Sequence, residues 1–330
     1  MNRLKALLCA RHIRASREYA SRECASRKSR QGHLKECHFN GNDESGRTSR
    51  LVRDLYEKLA STPSLEPSER TNALFSRLVE QCTQADARTA AGVLADPEVA
   101  RLRPRLIELC SQGEYLLERS WARAAVAAKN PRAELARFPY HANYERLTQL
   151  EVHALLGAVE RAGGAREERG VRRALFIGSG PLPMTSLLLA GVYGMKVDNV
   201  DADPEAHGLG AELARAAGLS NELSFWLCDA AEVEDLDDYD AVFLAALVGL
   251  DEAEKRSLIE HLQRRMRPGA LLVIRTAHRM KSLLYPRVEP EDLEGFEPQI
   301  VVQPLNEVIN SVIVARKPAE AGNVDGEEAS

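Results

Sequence analysis

Beyond Gly170 the chain alternates short apolar runs with amphipathic ones, and few folds accommodate that alternation. Residues 173–177, 196–200, 223–227, 240–245 and 270–275 read as strands, with helical runs such as 205–217 and 251–266 between them. Strands separated by helices pair in parallel and are covered on both faces. Two further runs, 300–303 and 309–315, are close enough in sequence to be an antiparallel pair closing one edge. Seven strands in this pattern predict a doubly wound α/β sheet.

The first strand runs into Gly178-Ser179-Gly180-Pro181-Leu182-Pro183 and then a mostly apolar helical run from Met184. Such a turn places a nucleotide-like ligand at the carboxyl end of the strand. Pro181 and Pro183 remove two N–H groups that a pyrophosphate-binding turn would aim at its anion. A dinucleotide is therefore disfavoured, and a phosphate-free nucleoside such as S-adenosylmethionine is favoured. With the antiparallel closing pair, this is the Rossmann-like, seven-stranded arrangement of S-adenosylmethionine-dependent transferases.

Asp201 ends the second strand, about twenty residues past the glycine turn, where a ribose-binding carboxylate belongs. After the third strand come Asp229 and Ala230. Asp229 could accept from an adenine amino group or cap a following helix, and the two roles are compatible. The fourth strand leads into Ala246-Leu247-Val248-Gly249, where Leu247 suits packing against a purine or a methionyl chain. Arg275 and His278 follow the fifth strand, with Tyr285 shortly after. Arg275 and His278 are placed to hold an α-carboxylate, with Tyr285 a further candidate for substrate binding, although a surface ion pair is an equal reading for Arg275.

The amino-terminal half has a different period. From Leu51 to about Ala162 apolar residues recur at helical spacing, punctuated by Pro63, Pro67, Pro97, Pro104 and Pro131, which predicts an all-helical domain. Glu114 and Glu118 lie four residues apart beside the stripe Leu106, Cys110, Gly113, Leu117, Trp121. A carboxylate bordering such a stripe can lose solvent and become a base, while a solvated face is the plain reading for either. The aromatic cluster Phe138, Tyr140 and Tyr144 reads plainly as packing.

Residues 1–50 carry twelve Lys/Arg against five Asp/Glu without apolar periodicity, and read as a disordered basic leader. The helical domain is then expected over 51–170, the sheet domain over 171–317 and a mobile acidic tail over 318–330. The net charge of −5 argues against nucleic-acid binding. No apolar run approaches the roughly 20 residues of a membrane span. A mitochondrial presequence is opposed by Glu18, Glu23 and Glu36, so a cytoplasmic location is expected. Of six cysteines, Cys82, Cys110 and Cys228 fall in patterns that look buried. No C-x-x-C or His/Cys cluster suggests a metal. The sequence sets no oligomeric state.

Residues 176–183, 243–249, 284–286 and 307–317, together with 72–79 and 130–144, closely resemble the nicotianamine synthase family. The likeness covers roughly 51–317. It implies transfer of the 3-amino-3-carboxypropyl group of S-adenosylmethionine to an amine with release of methylthioadenosine, three times over with closure of an azetidine ring. It also implies a helical lid over a Rossmann-like domain, Glu118 as the catalytic glutamate with Glu114 the alternative, and Tyr144 as the residue that holds the reacting amine. Methyltransferases often carry an acid two residues before the first glycine of the turn; here that residue is Phe176. A small-molecule methyltransferase and a non-catalytic S-adenosylmethionine-binding scaffold are the rival readings.

Overall fold

A computed structural model describes residues 41–161 and 170–319. The leader through residue 40, with Cys9, Cys24 and Cys37, the linker residues 162–169 and the tail from 320 lie outside the described residues.

The helical half begins earlier than expected. Helix α1 (Gly41–Ala60) starts inside the stretch read as leader, and Val52, Leu55 and Leu59 are buried along it. Ser49 is buried as well and hydrogen-bonds to the Asp96 side chain. A charge count over fifty residues had blurred the onset of this amphipathic stripe.

Capping side chains set the next helices. Ser68 accepts from Thr71 N at 3.1 Å before α2 (Glu69–Gln84), and Asp86 accepts from Thr89 N at 2.7 Å before α3 (Ala87–Leu94). Asp96 caps α4 (Pro97–Ala127), and Asn130 caps the short α5 (Pro131–Leu135). Helix α6 (His141–Arg161) completes the half. Pro97 and Pro131 open helices, whereas Pro104 lies inside α4 rather than between elements. It is exposed there, and so is Ala100, whose carbonyl the proline leaves without an N–H, so water can take that bond. The helix thus runs 31 residues unbroken and carries Glu114 and Glu118 on one rigid element.

The sheet has the order β3-β2-β1-β4-β5-β7-β6. Its strands are β1 (Arg173–Ile177), β2 (Lys196–Asp201), β3 (Leu223–Leu227), β4 (Ala241–Leu244), β5 (Leu271–Thr276), β6 (Glu297–Val302) and β7 (Ser311–Arg316). The first five are parallel, and β7 runs antiparallel between β5 and β6, as expected of a closing pair. The edge strand β6 starts three residues before the run read as a strand, because Glu297 and Pro298 are exposed and carry no apolar signal.

Both faces of the central strands are covered. Phe176, Phe243 and Val273 pack with Leu155 of α6, Leu189 of α7 (Met184–Gly191) and Leu213 of α8 (Pro204–Ala216). Leu175, Ile177 and Ile274 pack on the other face with Ile259 and Leu262 of α9 (Glu252–Arg265). A third cluster joins Leu55, Leu78 and Leu106 of the helical half to Leu283 and Leu284 beyond β5. Each fully buried side chain of this kind contributes about 1.5–3 kcal/mol, and helices and sheet from Gly41 onward form one compact unit. Cys82 and Cys110 are buried as expected, whereas Cys228 is only half-buried near the sheet edge.

Candidate active site

Strand order reverses between β1 and β4, and the loops leaving their carboxyl ends open a crevice there. Gly178 and Gly180 take φ of +78° and +67°, a region that side-chain-bearing residues rarely adopt. A β-carbon on Gly178 would lie 2.1 Å from Val248 Cγ2, so the turn can sit against the β4 loop only as glycine. The crevice is a cavity of about 820 Å³, floored by Gly178, Ser179, Gly180 and Pro181 and bordered by Asp201, Asp229, Ala230 and Leu247.

Asp201 accepts from Gly180 N at 2.8 Å through Oδ2 and from Asp203 N at 3.0 Å through Oδ1. Burial raises its pKa against those two bonds. Each oxygen keeps a lone pair for a ribose hydroxyl. Asp229 is exposed at the rim and accepts from Ala231 N at 2.8 Å, the cap of the turn Ala230–Glu232. Tyr115 of α4 donates to Asp203 at 2.9 Å and ties the roof to the β2 loop, a contact that no local pattern signals.

Helix α4 places Glu114 and Glu118 over the crevice. Glu118 is 7% exposed, and Tyr144 of α6 donates to its Oε1 at 2.6 Å. Tyr285, expected to hold substrate, lines the crevice and donates to Glu114 Oε2 at 2.7 Å. Burial holds Glu118 well above the usual carboxylate range, the charge of Glu114 adds to the rise, and the Tyr144 bond opposes it. Burial likewise raises Glu114 against the bond from Tyr285. Phe138 packs its ring on Trp121, Tyr140 and Tyr144 at centroid distances of 5.7, 5.9 and 6.3 Å. The aromatic cluster therefore does pack, and in doing so fixes Tyr144.

Arg275 lines the cavity but is neither at the surface nor unpaired. Its Nε and Nη2 donate to Glu151 at 2.7 and 3.1 Å, and Nη2 also donates to Thr185 Oγ1 at 2.5 Å. The guanidinium lies 5.1 Å above the ring of Phe176, so a cation sits by the strand position at which methyltransferases often carry an acid. His278 is not brought to the site. The chain turns into the 3-10 helix Arg279–Leu283 directly after it, leaving the ring half-buried outside the cavity lining. Burial and the cations Arg279 and Arg287 push its pKa down.

Two residues that sequence reasoning passed over complete the walls. Lys255 of α9 is buried and donates through Nζ to the carbonyls of Ala245 at 3.0 Å and Ala246 at 2.9 Å, and to that of Val248. It pins the β4 loop from behind, and burial pushes the ammonium down to about 7. Asn310, ahead of β7, borders both the crevice and an inner cavity of about 150 Å³. That inner cavity shares Glu114, Glu118, Tyr144 and Tyr285 with the crevice and extends away from the glycine turn toward Phe75 and Tyr140. Among the described residues, no group of three or more His, Cys, Asp or Glu could hold a metal ion.

A sheet of this order, with its cavity at the switch point and a carboxylate closing β2, is the Rossmann-like architecture of S-adenosylmethionine-dependent transferases. Residues 42–322 match the family model described as nicotianamine synthase protein. The chain belongs to the nicotianamine synthase family. It is 39% identical to probable nicotianamine synthase 4 of Arabidopsis thaliana, over 82% of this chain and 83% of that one. It is 42% identical to nicotianamine synthase 9 of Hordeum vulgare, over 81% of this chain and 77% of that one. The crystal structure of MtNAS in complex with MTA and tNA superposes with a TM-score of 0.69 at 24% identity, covering 83% of this chain and 98% of that one.

Proposed function

We propose that the protein is a nicotianamine synthase, joining 3-amino-3-carboxypropyl groups of S-adenosylmethionine into nicotianamine and releasing methylthioadenosine. The observation that carries this reading is the Tyr144–Glu118 pair, held over the glycine turn by two helices of the amino-terminal half. The sulfonium of S-adenosylmethionine makes three neighbouring carbons electrophilic, and position selects among them. An amine beside Glu118 attacks Cγ opposite sulfur. The new N–C bond forms as the C–S bond breaks, and the electron pair leaves on sulfur as neutral methylthioadenosine. The amine must be neutral to attack, and Glu118 accepts its proton while Tyr144 orients the carboxylate. Asp201 and Asp229 hold ribose and adenine at the far end of the crevice.

The inner cavity gives a grown acceptor somewhere to extend while the nucleoside end is exchanged. The carboxylates and amines of the product chelate metal ions, which gives the activity a part in metal homeostasis. A cytoplasmic location belongs to this reading, supported by the acidic residues within the basic leader. Incubation with S-adenosylmethionine alone, followed by mass spectrometry, tests the proposal. Methylthioadenosine with nicotianamine is expected. S-adenosylhomocysteine would identify a methyltransferase, and unchanged S-adenosylmethionine a binding scaffold.

A further inference from the structure

Asn310 is 8% exposed, and its Nδ2 is buried with no hydrogen-bond partner among the described residues. The segment that carries it is held firmly. Lys281 Nζ donates to the carbonyls of Pro304 at 3.0 Å, Asn306 at 3.3 Å and Val308 at 2.6 Å. Asn143 Nδ2 donates to the carbonyl of Glu307 at 2.7 Å. The amide is thus unpaired in a fixed wall rather than on a loose loop. An unpaired buried donor is costly, and a ligand acceptor relieves that cost.

The neighbouring cation shows what kind of acceptor fits. Arg275 lies opposite Val312 across the β5–β7 pair, Asn310 directly precedes β7, and both Arg275 and Asn310 line the crevice. An amide donor and a guanidinium lining one cavity favour an anion with two oxygens. We propose that Asn310 is a positioning residue that donates from Nδ2 to the α-carboxylate of an aminocarboxypropyl group at the junction of crevice and inner cavity. It takes the place first given to His278. The inference rests on the transferase reading above, and the α-carboxylate can belong to the sulfonium donor or to the growing acceptor.

The test compares ligands with and without that carboxylate. Calorimetry is run on the wild type, Asn310→Asp and Asn310→Ala with S-adenosylmethionine and with methylthioadenosine, and turnover products are followed by mass spectrometry. Asn310→Asp keeps shape but replaces the donor with an acceptor, so it should lose more than Asn310→Ala. If the donor's carboxylate is held, S-adenosylmethionine affinity falls roughly 10- to 100-fold while methylthioadenosine affinity is unchanged. If the acceptor's is held, both affinities persist while KM rises and partly extended products escape. Equal losses for both ligands would reduce Asn310 to a structural prop, and unchanged affinity, KM and product pattern would equally overturn the proposal. Failure of the transferase reading is separate, since it appears in the wild type as absence of methylthioadenosine release.

Discussion

Oε2 of Glu118 lies so close above the glycine turn that a β-carbon on Gly180 would sit 3.0 Å from it. The acid comes from the helical half and the turn from the sheet, so their contact is where the two halves make one site. Gly180→Ala should therefore be more harmful to catalysis than to folding. The positive φ costs about 1–2 kcal/mol for a residue with a side chain. A shift of the carboxylate on the order of 1 Å costs roughly 10²-fold in rate. Methylthioadenosine release is expected to fall by about that factor with a modest drop in Tm. Normal turnover in Gly180→Ala would show that the turn does not set the carboxylate's position.

Glu118 and Glu114 are separable by single substitutions. Glu118→Gln keeps size and hydrogen bonding but removes basicity, so S-adenosylmethionine should still bind while methylthioadenosine release falls about 10²–10⁴-fold. Glu114→Gln should lose less, because it is Glu118 whose Oε2 lies against the glycine turn. Calorimetry and a product assay on both variants decide the matter. A dead Glu114→Gln beside an active Glu118→Gln would move the base by one helical turn.

The raised pKa of Glu118 sets the sign of the pH dependence. Burial, with the charge of Glu114, keeps the carboxyl protonated to higher pH than an ordinary glutamate. Only the ionised form is a base, so kcat should rise with pH along a limb well above the usual glutamate value of about 4.3. The Tyr144 bond favours the carboxylate. Its removal in Tyr144→Phe should push the limb further up in pH and lower kcat at neutrality, with partial recovery in alkali. A pH–rate profile that keeps the same limb in Tyr144→Phe would contradict this coupling.

What could be read in advance was whatever local pattern determines. The central parallel strands β1, β4 and β5 are buried on both faces and stand out as apolar runs, β2 and β3 follow from the alternation around them, and the glycine turn is fixed by backbone conformation, so these strands and the crevice floor were legible. The start of α1 at Gly41 was hidden because a leader and a helix sharing basic residues look alike when charge is counted. Pro104 misled because an exposed proline can sit within a long helix. His278 and Asn310 show a deeper limit. Proximity to the end of β5 favoured the histidine, but the turn after it left His278 outside the cavity lining, while the antiparallel return of the chain before β7 brought in a residue 35 positions after Arg275. Likewise Glu151, Thr185 and Lys255 act through contacts that no spacing along the chain encodes.

The Arg275–Glu151 pair permits a test that divides folding from chemistry. Both side chains are buried, at 8% and 0% exposure. Arg275→Met or Glu151→Leu alone leaves the other charge uncompensated and should cost about 3–5 kcal/mol, whereas the double variant should regain much of that stability. Yet the charge of Arg275 also favours the ionised form of Glu118, against the burial that raises it. In the double variant, therefore, Tm should return toward wild type while the acid limb of kcat stays displaced to higher pH. Thermal melts and pH–rate profiles of the two single variants and the double variant supply the measurement. Recovery of both Tm and the wild-type limb would make Arg275 purely structural, whereas recovery of Tm alone assigns its charge to the reaction chamber.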